Sequence, residues 1–253
     1  MWPYPRALAH RGGGALAPEN TIAALRCGLA HGYRAVEFDV MLAADGVPVV
    51  VHDPEFGRTV AGSGRVADHT AAELAGMDAG SWFGPDFAGE PVPSYEEVFR
   101  FCLANRIWMN VEIKPAPGFE AVTGRTVAAL TAQWLQGPAA MQALSSGWQA
   151  PLLSSFSHEA LLAARMQAPA LKRACLFDTI PANWRELLQQ IDAQALHANY
   201  RNLTPALAAE VRQAGYGLFC YTVNDPERLR TILSWGVEAF CTDRIDLIHA
   251  DFA

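Results

Sequence analysis

Four short stations carry the chemistry of this sequence: His10-Arg11-Gly12, Glu37-Phe38-Asp39, His52-Asp53 and Glu112-Ile113-Lys114. Glu37, Asp39 and Glu112 supply carboxylates, His10 and His52 supply imidazoles, and Arg11 and Lys114 supply fixed cations. Oxygen-only ligation suits Mg²⁺ first, with Ca²⁺ or Mn²⁺ as alternatives, rather than zinc. Imidazoles titrate near neutrality, so one can take a proton from a nucleophile while the other gives one to a leaving alkoxide. Arg11 offers a bidentate fork and Lys114 a point charge, both matched to non-bridging phosphate oxygens. The set is equipped to hold a divalent metal beside a phosphate diester and to move protons around it. Any one of these acids alone is as readily a structural ion pair. Three at one mouth repel unless a cation sits between them.

Such a set works only if the fold gathers it, and the flanking pattern predicts that it does. Ile22, Leu25 and Leu29 mark one helical face, Gly32 stops it, and residues 35–40 read as a strand. Thr204-Pro205 and Asp225-Pro226 open helices that Gly215 and Gly236 close, while Ser94 with Glu97 forms a capping box. Eight strands centre on residues 8–10, 36–39, 108–113, 152–155, 174–177, 195–198, 218–223 and 239–242. Strands alternating with helices in that number predict an α/β fold, a (β/α)8 TIM barrel, with a doubly wound sheet as runner-up. His10 and Arg11 then end the first strand, Glu37 and Asp39 the second, and Glu112 and Lys114 the third, which is the functional rim of a barrel. Period-two alternation puts Glu37 and Asp39 on one face, and likewise Glu112 and Lys114. Neighbouring strands lie about 4.8 Å apart, so the three carboxylates could converge on one ion.

One segment breaks the alternation. Residues 47–52 read as a strand, but residues 41–46 are too few for a crossover helix, and Ala43-Ala44-Asp45-Gly46 reads as a hairpin turn. Residues 40–93 are therefore expected to be a small insertion after the second strand, within a single catalytic domain spanning 1–253. It holds one short capped helix over 70–76, with Glu73 as the capping-box partner. Trp82-Phe83, Phe156, Tyr221 and Asn224 are candidates to line the substrate cleft, although the aromatics serve equally as core and Asn224 as a loop cap. Gly12-Gly13-Gly14 lacks the spacing of a phosphate loop and reads as a tight turn beside the metal. His31, His69, His158, His197 and His249 receive no role; His197 ends a strand and could line the mouth.

Composition narrows the rest. At 253 residues, 51% apolar and 18% charged, the chain suits one globular core. A net charge of −7 argues against nucleic acid as partner, yet a local metal and a few cations can still admit an anionic small molecule. No stretch approaches ~18 uninterrupted apolar residues, and the start lacks the apolar run of a signal peptide, so no membrane partner is expected. Five cysteines are scattered singly, which points to a reducing, cytoplasmic location rather than a disulfide framework. Pairing of the chain with copies of itself stays open.

The stations, together with Ala17-Pro18-Glu19-Asn20-Thr21, Asp45-Gly46, Ser154-Ser155-Phe156, Tyr221-Thr222-Val223-Asn224 and Cys241-Thr242-Asp243-Arg244, follow in an order that resembles the glycerophosphodiester phosphodiesterase family across essentially the whole chain. Trp2-Pro3-Tyr4-Pro5-Arg6 and Asp78-Ala79-Gly80-Ser81-Trp82 resemble a bacterial cytoplasmic member. The resemblance implies a barrel with a small insertion, a divalent metal at Glu37, Asp39 and Glu112, acid–base work by His10 and His52, and phosphate contacts from Arg11 and Lys114. It implies hydrolysis of a glycerophosphodiester, such as glycerophosphocholine or glycerophosphoethanolamine, to sn-glycerol 3-phosphate and an alcohol. Whether water or a substrate hydroxyl attacks first stays open. One rival keeps the site and takes a lysophospholipid or phosphoinositide, for which the chain shows no amphipathic anchor. Another is a barrel that only senses an anionic metabolite, against which both histidines count.

Overall fold

Side-chain caps start the helices where the sequence places them. Thr21 Oγ1 accepts from the Ala24 amide at 3.1 Å, Thr204 caps Leu207, and Asp225 caps Glu227 and Arg228. Ser94 with Glu97 and Thr70 with Glu73 form complete capping boxes, each cap typically contributing about 1 kcal/mol. The computed structural model describes residues 2–252. The strands are β1 (Ala7–Ala9), β2 (Ala35–Leu42), β3 (Pro48–Val50), β4 (Trp108–Ile113), β5 (Leu152–Ser155), β6 (Lys172–Phe177), β7 (Ala195–Asn199), β8 (Gly217–Tyr221) and β9 (Ala239–Thr242). The helices are α1 (Ile22–Ala30), α2 (Ala71–Leu74), α3 (Tyr95–Ala104), α4 (Glu120–Leu135), α5 (Pro138–Ser145), α6 (His158–Gln167), α7 (Trp184–Gln190), α8 (Pro205–Gln213) and α9 (Pro226–Ser234).

Setting β3 aside, the strands are parallel and run β1-β2-β4-β5-β6-β7-β8-β9 back to β1, a closed (β/α)8 barrel. All eight expected strands are present, within a residue or two of their expected ends except that β2 runs three residues further, to Leu42, where it pairs with β3. β1 stops at Ala9, but the His10 amide still donates to the Thr242 carbonyl at 3.0 Å, so the ladder reaches the first candidate residue. Among the described residues no helix follows β9. Instead Ile245 and Ile248 are buried, and the Tyr33 hydroxyl donates to the Ile248 carbonyl.

β3 is shorter than the strand expected over 47–52, because Val47 lies in the turn, where its carbonyl accepts from the Ala43 amide. It pairs antiparallel with β2, Val40 opposite Val50 and Leu42 opposite Pro48. The Val51 amide donates to the Asp39 carbonyl at 3.1 Å, which delivers His52 to the rim beside the acids of β2. Met41, Val49, Val51, Val60, Val66 and Leu74 form a small core beneath this segment.

Alternation along each strand separates two further cores. Val36, Phe38, Val40, Val111 and Ile113 face outward onto the helices. Leu8, Ala35, Trp108, Leu152, Ala174, Ala195 and Phe219 fill the barrel interior. Trp2 and Tyr4 plug its amino end, with the Tyr4 ring stacked on Trp108 at 4.2 Å. His197 lies in this interior, its ring 4.4 Å from Phe219 and 6.0 Å from Trp2, so it does not line the mouth. Burial pushes its imidazole down to about 3, so it stays neutral.

Candidate active site

At the carboxyl end of the barrel, backbone register brings the acids together. Asp39 of β2 pairs with Glu112 of β4, and Glu37 sits one pleat below Asp39 on the same inward face. One oxygen from each of Glu37, Asp39 and Glu112 lies within 4.8 Å of the others, and all three side chains are buried. Burial, then the charges of Asp39 and Glu112, hold Glu37 well above the ordinary carboxylate range. Burial and Asp39 push Glu112 up to about 8. Burial also acts on Asp39, but Arg11, Lys114 and the Asn20 amide outweigh it and keep Asp39 below the ordinary range. Packing like charges in a dry site is costly unless a cation joins them. The donor set, three hard oxygens on rigid strand ends, fits a divalent ion.

Asp39 has three neighbours of opposite polarity. Asn20 Nδ2 donates to Oδ2 at 2.9 Å, Arg11 Nε lies 3.4 Å from the same oxygen, and Lys114 Nζ is 3.5 Å from Oδ1. Arg11 and Asn20 both hold left-handed backbone, with φ of 51° and 61°. Such conformations cost about 1 kcal/mol or more in non-glycine residues and collect at functional sites. In return the Arg11 amide donates to Glu37 Oε2 at 3.3 Å. Arg11 Nη1 donates to Glu19 Oε1 at 2.7 Å, so Glu19 orients the fork.

Each candidate histidine is held by its own carboxylate. His10 Nδ1 donates to Asp243 Oδ1 at 2.5 Å, and His52 Nδ1 donates to Asp53 Oδ1 at 2.6 Å. A carboxylate only accepts, so both rings carry the proton on Nδ1 and present Nε2. His10 Nε2 is 3.7 Å from Glu37 Oε2. Burial, with Arg11 and Lys114 near, holds His52 below the ordinary imidazole value despite Asp39 and Asp53. Burial works against Asp53, but hydrogen bonds from Arg58 and His52 bring it down to about 2, so it stays ionised.

The loop that carries His10 is packed by backbone. A side chain at Gly14 would meet the Asp243 carbonyl at 2.3 Å, and one at Gly28 of α1 would meet the Gly12 carbonyl at 2.2 Å. The expected tight turn is therefore constrained by its neighbours in the fold.

Two openings flank the acids. Trp82 and Phe83 line a cavity of about 490 Å³ with His10, Arg11, Glu19 and Asp243. Phe156 lines one of about 340 Å³ with Glu112, Lys114 and Glu120. Trp82 is 43% exposed and Phe156 51%, so both rings are free to meet a ligand. Tyr221 packs edge-on against Phe156 at 5.8 Å. Asn224 has a different setting. Its Nδ2 donates to Asp243 Oδ2 at 2.9 Å and its Oδ1 accepts from the Asp243 amide at 2.8 Å, so its amide braces the partner of His10.

The structure thus gathers His10, His52, Glu37, Asp39, Glu112, Arg11 and Lys114 at one rim. Glu19, Asn20, Arg58 and Asp243 complete that rim, and reading the sequence for chemistry gave them no role. Glu19, Asn20 and Asp243 lie inside recognisable motifs, but their partners are 8, 19 and 233 positions away. Only the closed barrel reveals such contacts.

Comparison with known proteins agrees with the family resemblance. The glycerophosphoryl diester phosphodiesterase family matches residues 10–247. A glycerophosphodiester phosphodiesterase of Caldanaerobacter subterraneus is 33% identical over 93% of both chains. The structure of an Oleispira antarctica phosphodiesterase in complex with the product sn-glycerol-3-phosphate superposes with a TM-score of 0.84, at 32% identity, over 96% of this chain and 95% of that one. A glycerophosphodiester phosphodiesterase from Agrobacterium tumefaciens superposes at 0.76, with 26% identity, over 96% and 98%.

Proposed function

Since the chain belongs to the glycerophosphoryl diester phosphodiesterase family and is an enzyme of that class, we propose that it hydrolyses glycerophosphodiesters such as glycerophosphocholine or glycerophosphoethanolamine to sn-glycerol 3-phosphate and an alcohol. The observation that carries this reading is the convergence of three buried carboxylates between two histidines, each locked by its own aspartate. Glu37, Asp39 and Glu112 would hold a divalent ion, Mg²⁺ first and Ca²⁺ or Mn²⁺ as alternatives. When bound, the ion supplies Lewis-acid polarisation of the phosphoryl group and neutralises the acids.

The chain's own residues do the rest. Arg11 and Lys114 bind the non-bridging oxygens and balance charge building on phosphorus. His10 and His52 divide the proton work at Nε2. The ring that starts neutral takes a proton from the attacking oxygen, that of water directly or of a substrate hydroxyl whose cyclic phosphate water then opens, and the other, protonated ring gives one to the departing alkoxide. Asp243 and Asp53 keep both rings in the tautomer that this requires. Trp82 and Phe156 wall the two sides of the substrate, and Asn224 serves it through Asp243.

The wider reading is of one catalytic domain over 1–253, with residues 40–93 as an insertion that delivers His52 and Trp82. The working place we assign is the cytoplasm, a reading supported by five cysteines that are all unpaired. The test is release of sn-glycerol 3-phosphate from glycerophosphocholine, first with EDTA and then with each ion restored. Metal-dependent release is expected. Folded protein that releases none with any ion would overturn the reading.

A further inference from the structure

Arg58 belongs to none of the stations, yet it touches both halves of the site. Its Nε donates to Asp53 Oδ2 at 2.6 Å, and Nη1 and Nη2 donate to the two oxygens of Glu19 at 2.7 Å each. Every nitrogen of the guanidinium is therefore engaged by a carboxylate. Asp53 gives its other oxygen to His52, and Glu19 Oε1 also accepts from Arg11 Nη1. An unbroken line of contacts runs from the His52 imidazole through Asp53, Arg58 and Glu19 to Arg11, and from Arg11 Nε to Asp39.

We propose that Arg58 is a positioning residue whose fork ties Asp53 to Glu19 and so fixes the His52 ring relative to Arg11 and the three acids. The proposal rests on the phosphodiesterase reading of this site. A single ion pair on a side chain 46% exposed would do little. Here one fork serves two carboxylates, and each of those has a second partner inside the site, so the geometry is over-determined. His52 and Glu19 sit on separate rim segments, the loop after β3 and the loop before α1, and Arg58 spans them. With a donor on each oxygen, Asp53 cannot rotate without breaking one bond, and the His52 ring inherits that restraint. A lysine could satisfy only part of this set, because it presents a point charge rather than a planar fork. Displacing a reacting group by ~1 Å can cost about 100-fold in rate.

The experiment is steady-state hydrolysis of glycerophosphocholine by the metal-loaded wild type and by Arg58→Ala, Arg58→Lys, Asp53→Ala and the Arg58→Ala/Asp53→Ala pair, with thermal melts to establish folding. Arg58→Ala should lower kcat roughly 10- to 100-fold with KM within about threefold. Arg58→Lys should recover only part of the loss, and the double variant should be no slower than Asp53→Ala alone. A wild-type kcat in Arg58→Ala, a change in KM alone, or full multiplicativity with Asp53→Ala would overturn the proposal. Imidazole ¹⁵N spectra supply a readout without turnover: Arg58→Ala should convert His52 from the Nδ1-protonated form to a tautomer mixture. An unchanged His52 spectrum would equally overturn it. A wild type inactive on every glycerophosphodiester would count against the phosphodiesterase reading, and the spectra would still decide the role of Arg58.

Discussion

Asp243 Oδ1 lies 2.5 Å from His10 Nδ1, although 233 positions of chain separate the two residues. Closing β9 against β1 makes this pair, and Asn224 then locks the aspartate from its other oxygen. The carboxylate dictates which nitrogen of His10 is free. Asp243→Asn should keep the fold, present an amide donor to Nδ1 and flip the tautomer. A kcat loss of roughly 100-fold or more is expected, with KM little changed; wild-type turnover would show that the pair only props the loop.

His10→Ala and His52→Ala should each lower kcat by about 100- to 10,000-fold while the far-ultraviolet spectrum and melting temperature stay near wild type. Either variant turning over at a near-normal rate would remove that histidine from the proton transfers.

If Glu112 holds the ion as proposed, it links metal binding to pH. Its carboxyl is pushed up to about 8 by burial and by Asp39, so below that pH an arriving cation must displace a proton. Apparent affinity should rise about tenfold per pH unit toward 8 for each proton released, and calorimetry in buffers of different ionisation enthalpy should detect the release. The stability sign is opposite. In metal-free protein the folded value lies above the unfolded one, so the contribution of Glu112 is full below about pH 4.5 and is lost as pH rises through about 8. Metal-free Glu112→Gln should therefore gain stability on the wild type between pH 5 and 8, by on the order of a few kcal/mol, while binding the ion more weakly. A constant difference across that range would contradict the shift.

Gly28→Ala tests the packing under the His10 loop. The new methyl would meet the Gly12 carbonyl at 2.2 Å, and backbone cannot yield as a flexible side chain does. A destabilisation of about 1–3 kcal/mol is expected, with kcat falling because His10 and Arg11 move together. Unchanged melting temperature and activity would mean that α1 shifts freely.

Which parts of this site can be read from sequence follows from the range of the interactions. Glu37, Asp39 and Glu112 are legible because strand alternation alone sets the face they share, and His52 because a six-residue gap over 41–46 admits only a hairpin. Helix starts at Thr70, Ser94, Thr204 and Asp225 are legible because caps act within three residues. Asp243 and Asn20 are not, because each works through a contact made only after distant strands have met. His197 could line the rim by position, yet Trp2 of the plug and Phe219 of the barrel interior lie around it. Asn224 reads as a cleft residue or a loop cap, and the contact of its amide with Asp243, 19 positions on, is not legible from either.

The seam of the barrel has a consequence for how activity first appears. β1 meets β2 at the single pair Ala9–Val36, whereas it meets β9 at three positions. As a nascent chain emerges from the ribosome, His10, Glu37, Asp39 and Glu112 are exposed long before β9 exists. Until Phe240 to Thr242 have been added, β1 lacks its main neighbour and His10 lacks its aspartate. The acids can be assembled early, but the enzyme switches on only once β9 and Asp243 have been synthesised, so chains that stop short of them should be catalytically silent.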